Sequence, residues 1–290
     1  MTFLCTDKTL LDDWLTVGPV TRVEGKTVAD PYRTKLLGAE VAVWKDSQGQ
    51  FAARIGAEVL LIQKCYGYLW ICPSGSPRKD LFALPEYSQP GRRIVDCEGI
   101  GVAVSGLRMV ENFLDMGHFP YVHAHYLGEV PQTEVATYDV SVDETADEIW
   151  ATNCRFYQPK TSKSATTGLD VQYRYRVVQP MGAVLYKTAV PRPGEMDAIG
   201  LFVQPHDEEH ITAYCLLAYY DDTSAETDLI GFQHTIFGQD KPILENQLPK
   251  RMPLRPGTEV PTRCDAMSVA FRRWLAARGT TYGAIARDGS

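Results

Sequence analysis

The sequence predicts an α+β protein in two parts, a small β module followed by a large, mainly antiparallel sheet closed by a long C-terminal helix. Three observations carry that expectation. Short runs rich in β-branched and aromatic residues recur over 35–72 and again over 138–221. A proline- and glycine-rich stretch separates the two groups. One apolar stripe at helical spacing occupies 267–274. At 290 residues, 44% apolar, the chain has ample material for a sizeable core.

In order along the chain, KLLGAEVAVWKD (35–46) and GAEVLLIQKCYGYLWICPSG (56–75) read as strands bounded by the turn signals DSQG and PSGSP. PSGSPRKDLFALPEYSQPGRR reads as a linker, which puts one domain at 1–90 and a second at 91–290. YDVSVDE, IWATNCRFYQ, DVQYRYRVVQ, GAVLYKTAV, AIGLFVQP and HITAYCLLAYYD follow as strands. In VQYRYRVV, apolar and polar residues alternate as on a strand with one wet face. Met267, Ala270, Phe271 and Trp274 recur at i, i+3, i+4 and i+7, and Arg278 and Gly279 suit a helix end. A generic α+β arrangement accommodates most of the same pattern.

Composition narrows the function classes. A formal charge of −7 argues against a surface that tracks phosphates, so no nucleic-acid partner is expected. No apolar run approaches the ~20 residues of a membrane span, and the acidic N-terminus does not look like a signal peptide. Seven scattered cysteines with no close pair fit free thiols in a reducing cytoplasm.

The stretch ENFLDMGHFPYVHAH (111–125) holds three of the six histidines. Glu111, Asp115 and His118 are spaced to share one helical face. His123 lies five residues past His118, on another face of a regular helix, with Pro120 between them. A widened, π-like turn at that break would swing His123 back toward His118. Two imidazoles and a carboxylate on one face of Fe(II) leave positions open for dioxygen. Two alternatives stand beside this. The residues could be separate polar groups on a solvated helix, or zinc ligands, although no H-E-x-x-H helix is present.

NFLDMGHFPYVHAHYLG resembles the iron-binding segment of the Rieske non-haem iron oxygenases, in the branch that includes vanillate and dicamba demethylases. Asn112, Asp115, His118 and His123 match the family's N-x-x-D-x-x-H-x-x-x-x-H position by position. FGQDKPILENQ resembles the segment of the third ligand, which would be Asp240; the same Asp-Lys-Pro-Ile-Leu also suits a helix N-cap. DAMSVAFRRWLAARG is similar to the family's C-terminal helix. The resemblance implies a mononuclear Fe(II) on His118, His123 and Asp240, with dioxygen as co-substrate. It implies a helix-grip (START-like) second domain, a fold that apolar-ligand carriers also use. Asp115 would bridge an iron-ligating histidine to the electron-donating cluster, and Asn112 would be a nearby polar support.

One departure from the family is informative. LLGAEVAVWKDSQGQFAAR and LIQKCYGYLWICPSG resemble the flanks of the family's [2Fe–2S] module, yet the cysteine–histidine loops between them are missing. The chain runs from Arg54 to Glu58 in four residues, and no histidine precedes His118. What remains is a truncated Rieske-like β remnant without cluster ligands. This arrangement resembles the cluster-less oxygenase subunits of bacterial caffeine N-demethylation. The likeness implies hydroxylation of an N-methyl group, that of the 7-position of 7-methylxanthine, with release of formaldehyde.

Electrons would come from NADH and a [2Fe–2S] centre through a separate Rieske-containing reductase. It is expected to dock near Asp115, where residues 30–75 leave an open place. A further structural subunit and an oligomer or hetero-oligomer are also implied. The alternatives are a non-catalytic apolar-ligand carrier or scaffold, or an O-demethylase or hydroxylase acting on another small aromatic. Tyr173, Tyr175, Phe202 and Tyr219 are either pocket or core. His125, His206, His210 and His234 have no assigned role, with His125 read as exposed helix surface.

Overall fold

Residues 68–72, YLWIC, are buried along their whole length, as a strand covered on both faces should be. The computed structural model describes residues 3–160 and 168–285. After a one-turn helix α1 (Lys8–Leu11) come six strands: β1 (Leu15–Pro19), β2 (Tyr32–Leu36), β3 (Ala39–Lys45), β4 (Phe51–Ile55), β5 (Glu58–Cys65) and β6 (Tyr68–Cys72). They pair antiparallel in the order β1-β6-β5-β4-β3-β2. β4 and β5 meet at Ile55 and Glu58 across a two-residue turn, where Gly56 takes φ +59, a value glycine adopts without strain.

The second sheet has seven strands: β7 (Arg93–Val102), β8 (Asp139–Asp143), β9 (Glu148–Gln158), β10 (Leu169–Gln179), β11 (Gly182–Thr188), β12 (Met196–Pro205) and β13 (Ile211–Tyr219). Their order is β7-β13-β12-β11-β10-β9-β8, again antiparallel. The first strand therefore closes against the last. The helices are α2 (Gly106–Leu114), α3 (Phe119–Val122), α4 (Glu226–Asn246) and α5 (Ala266–Ala277). α2 packs on β11 and β12, α4 along β7, and α5 against β8 and β9. The opposite face of the sheet is covered by the first module. There Phe202 meets Trp70, Tyr68 and Phe82 at centroid separations of 5.1, 5.4 and 5.6 Å. Gln204 Nε2 adds hydrogen bonds to Thr34 Oγ1 and the Lys35 carbonyl at 2.7 and 2.9 Å.

Two antiparallel sheets with helices agree with the α+β expectation, but several elements differ from it. β1, β2 and β7 are additional strands. The proline-rich stretch before β7 contributes Phe82 and Leu84, both buried, to the aromatic cluster. The expected C-terminal helix is α5, only 12 residues long, whereas the longest helix is the unanticipated 21-residue α4. Among the described residues no helix is long and apolar enough to cross a membrane.

Candidate metal centre

Ser105 caps α2 by accepting from the Arg108 N–H, and the helix stops at Leu114 because Asp115 leaves helical geometry at φ −90, ψ 127. Asp115 then organises the turn. Its Oδ1 accepts from the Gly117 N–H at 2.7 Å, and its Oδ2 accepts from His118 Nδ1–H at 2.9 Å. His118 starts α3 and His123 ends it, with their rings 4.9 Å apart. Pro120 falls in the first turn of α3, where its missing N–H costs nothing.

These facts correct two expectations. Glu111, Asp115 and His118 do not share a helical face, since Glu111 is held by Arg108 at 3.2 Å and Arg272 at 2.9 Å. The histidines converge through a second short helix, and no π-like turn is needed. Asp240 is not an N-cap either. It sits inside α4, which runs on through Pro242.

The structure brings His118, His123 and Asp240 together. The two Nε2 atoms are 3.1 Å apart, and Asp240 Oδ1 lies 3.4 Å from His118 Nε2 and 3.1 Å from His123 Nε2. On the far side of each ring an acceptor sets the tautomer. Asp115 takes the Nδ1–H of His118, and Gln239 Oε1 takes that of His123 at 2.9 Å. Both Nε2 lone pairs therefore face the carboxylate. His123 is 1% exposed, and Asp240 Oδ1 is buried with no hydrogen-bond partner.

These three converging atoms are held together by a cation among them, a proton on His118 Nε2 in the metal-free chain or a metal ion in its place. Donors about 2.1 Å from one first-row metal, on a shared face of its coordination sphere, would stand about 3 Å apart. The residues fit such an ion. Gln239 escaped the sequence reading, although its place beside Asp240 in FGQD was a signal.

The metal-free electrostatics point the same way. Burial pushes the His118 pKa down, but the hydrogen bond to Asp115 and the facing Asp240 carboxylate outweigh it and hold it up at about 9. Burial would raise Asp240, yet both histidines hold it down at about 2. Asp115 also lies below the usual carboxylate range, because the His118 and Gly117 hydrogen bonds outweigh burial.

The triad closes one side of a cavity walled by Phe113, Phe119, Phe232, Ile236, Phe237 and the inner face of the large sheet. Tyr173 and Tyr175 line it, whereas Phe202 faces away; Tyr219 is buried and accepts from Gln233. Asn112 and His118 border both this cavity and an outer groove that also exposes Asp115. That groove is formed by α2, α4, α5 and the segment 254–261, with no residue of 30–75. The expectation that the missing loops open a place beside Asp115 is therefore not supported. His234 Nε2 donates to the Cys97 carbonyl, His206 and His210 bond Thr212 and Asp207, and His125 is exposed at positive φ, off any helix.

Residues 102–280 match the model for the vanillate O-demethylase oxygenase C-terminal domain. The chain is 46% identical over 278 residues to a probable methylxanthine N7-demethylase, NdmC, of Pseudomonas sp. (strain TJI-51), covering 94% of this chain and 96% of that one. It is 25% identical over 226 residues to the methylxanthine N1-demethylase NdmA of Pseudomonas putida, covering 72% of this chain and 58% of that protein. The fold is similar to that of Pseudomonas putida CBB5 NdmA with caffeine, at a TM-score of 0.75, 18% identity and coverage of 93% and 91%. Dicamba monooxygenase matches at a TM-score of 0.69, 14% identity and coverage of 93% and 97%.

Proposed function

The chain belongs to the vanillate O-demethylase oxygenase family of Rieske-type oxygenases, and from that premise we propose that it is the oxygenase component of a methylxanthine N-demethylase. The observation that carries this reading is the buried triangle of His118 Nε2, His123 Nε2 and Asp240 Oδ1, open to an apolar cavity. A mononuclear Fe(II) on those three atoms would supply dioxygen activation. A ligand carrier has no need of three converging acceptors.

The division of labour among the residues follows. The aromatic walls hold a flat ring and exclude water, so that its N-methyl group meets the triad rather than solvent. Asp115 and Gln239 keep both Nδ1 atoms protonated, so that both Nε2 atoms point at the metal, that of His118 once its proton is displaced. Asp115 also faces the outer groove, which suits it to pass electrons from a docked donor to His118, with Asn112 as polar support beside it. In balance, the N-methyl substrate, dioxygen, two electrons and two protons give the N-hydroxymethyl compound and water. This carbinolamine then breaks its C–N bond, releasing the demethylated ring N–H and formaldehyde.

In this reading residues 1–90 are a truncated Rieske-like module and 91–290 a helix-grip catalytic domain. The match to an N7-demethylase favours the 7-methyl group of 7-methylxanthine. NADH and a [2Fe–2S] centre arrive with a Rieske-containing reductase that docks over the groove, whose rim exposes Ile243 and Val260. Iron-loaded chain, that reductase, NADH and 7-methylxanthine should yield formaldehyde and xanthine in equal amounts. Turnover with a reductase lacking a Rieske domain, or no turnover of any methylxanthine with the full system, would refute it.

A further inference from the structure

Strand β7 breaks register on the wall of the cavity. Asp96 pairs with Leu216 and Gly99 with Tyr214, so Cys97 and Glu98 together oppose Cys215 in a β-bulge. A bulge of this kind re-aims a side chain without ending the strand. Asp96 and Gly99 face the first module, at Tyr68 and Tyr214, whereas Cys97, Glu98 and Ile100 line the cavity that ends on the triad. The bulge is held from both sides. Asp96 Oδ1 accepts from the Tyr68 hydroxyl at 2.6 Å and from the Glu98 N–H at 3.0 Å, and His234 Nε2 on α4 donates to the Cys97 carbonyl at 2.7 Å.

A glutamate is a costly choice at this position. The Glu98 φ of +62 is a left-handed conformation that glycine adopts freely and other residues rarely do. Such strain concentrates at ligand sites, where the surroundings enforce it. The side chain does not brace the fold, because among the described residues its carboxylate has neither a hydrogen bond nor an ion pair. Glu98 is exposed and yet lines the cavity, so it marks the end where the cavity meets solvent. His234, which pins the bulge, precedes Asp240 by six residues on α4, about 9 Å along the helix axis. A fused two-ring molecule with one end at the triad reaches that far.

We propose that Glu98 is a specificity-determining residue that accepts an N–H from the six-membered ring of an oxopurine whose N-methyl group faces the triad. The inference rests on the N-demethylase reading and deepens it. An imide N–H is acidic, so a carboxylate accepts it in a charge-assisted hydrogen bond. Both six-membered-ring nitrogens of 7-methylxanthine carry hydrogen, whereas both in caffeine carry methyl. A methyl removes the donor and sets an apolar group against the carboxylate, so 7-methylxanthine binds better than caffeine.

Calorimetry of 7-methylxanthine and caffeine with the anaerobic, iron-loaded full chain tests this. Glu98→Gly should weaken 7-methylxanthine binding about tenfold and leave caffeine binding unchanged or tighter, erasing the preference. Its Tm should be at or above wild type, because glycine takes this φ without strain. Glu98→Gln keeps an acceptor oxygen but loses the charge, and should weaken 7-methylxanthine about threefold. A glutamate kept for the fold alone would lower Tm in Glu98→Gly and leave the ratio of the two affinities unchanged. That pattern, equal wild-type affinity for the two xanthines, or binding of 7-methylxanthine to Glu98→Gly within about twofold of wild type overturns the proposal. Should Glu98→Gly not fold, wild-type affinity in Glu98→Gln overturns it equally. If the wild-type chain binds neither xanthine, the N-demethylase reading falls with it; if it binds 7-methylxanthine and both variants match it, only the assignment of Glu98 falls.

Discussion

Asp115→Asn replaces two acceptor oxygens with one. In the native turn one oxygen serves the Gly117 N–H and the other the His118 Nδ1–H. An asparagine oxygen turned to His118 points the new NH2 at the Gly117 N–H and unmakes the turn. Turned to Gly117, it makes the NH2 donate to His118 Nδ1, which moves the ring proton to Nε2 and blocks that ligand. Either way a charge-assisted hydrogen bond of about 1.5–3 kcal/mol is lost. At about 1.4 kcal/mol per factor of ten this is about 10- to 100-fold in iron affinity, the range typical of groups that orient metal ligands.

Most iron should stay bound when ferrous ion is in excess, while turnover with the Rieske-bearing reductase falls further than the affinity does. Chelator competition gives the affinity. A single turnover of chemically reduced protein, set against steady-state turnover with the reductase, isolates electron delivery. Wild-type affinity and wild-type steady-state rate in Asp115→Asn would remove both the orienting and the bridging role.

Two further outcomes follow from the same geometry. Gln239→Leu leaves the His123 Nδ1–H without its acceptor, so iron affinity should fall about tenfold with the fold intact; unchanged affinity would mean that the tautomer is set elsewhere. The pH dependence comes from His118. Its folded pKa of about 9 lies above the about 6.5 of an unfolded histidine, so in metal-free protein its protonation stabilises fully below about pH 6.5 and the effect is lost as pH rises through about 9. Because iron must displace that proton, its apparent affinity should climb about tenfold per pH unit below about pH 9, and a flat profile from about pH 6 to 8 would refute the assignment.

How far the sequence could be read depended on where periodicity survived. β10 and β11 were legible because their β-branched and aromatic residues run unbroken between turn signals. β7 was not, since Gly99 and Gly101 interrupt RIVDCEGIGV where Tyr214 packs close to Gly99. α4 was hidden for a related reason. Gly231, Gly238 and Pro242 break its pattern, and one of its few buried positions is Asp240 itself.

The spacing of Asp115, His118 and His123 exposed the candidate ligands, but a continuous helix was the wrong frame for them. The Asp-Met-Gly step that ends α2 lets two short elements aim both rings at one point.

The central claim is that three side chains hold one iron. Ferrous ion titrated anaerobically into the metal-free chain should bind at one per chain. His118→Ala, His123→Ala and Asp240→Ala, each checked by circular dichroism for an intact fold, should each reduce tight binding to near zero. Retention of one tightly bound iron by any of the three folded variants would contradict the account.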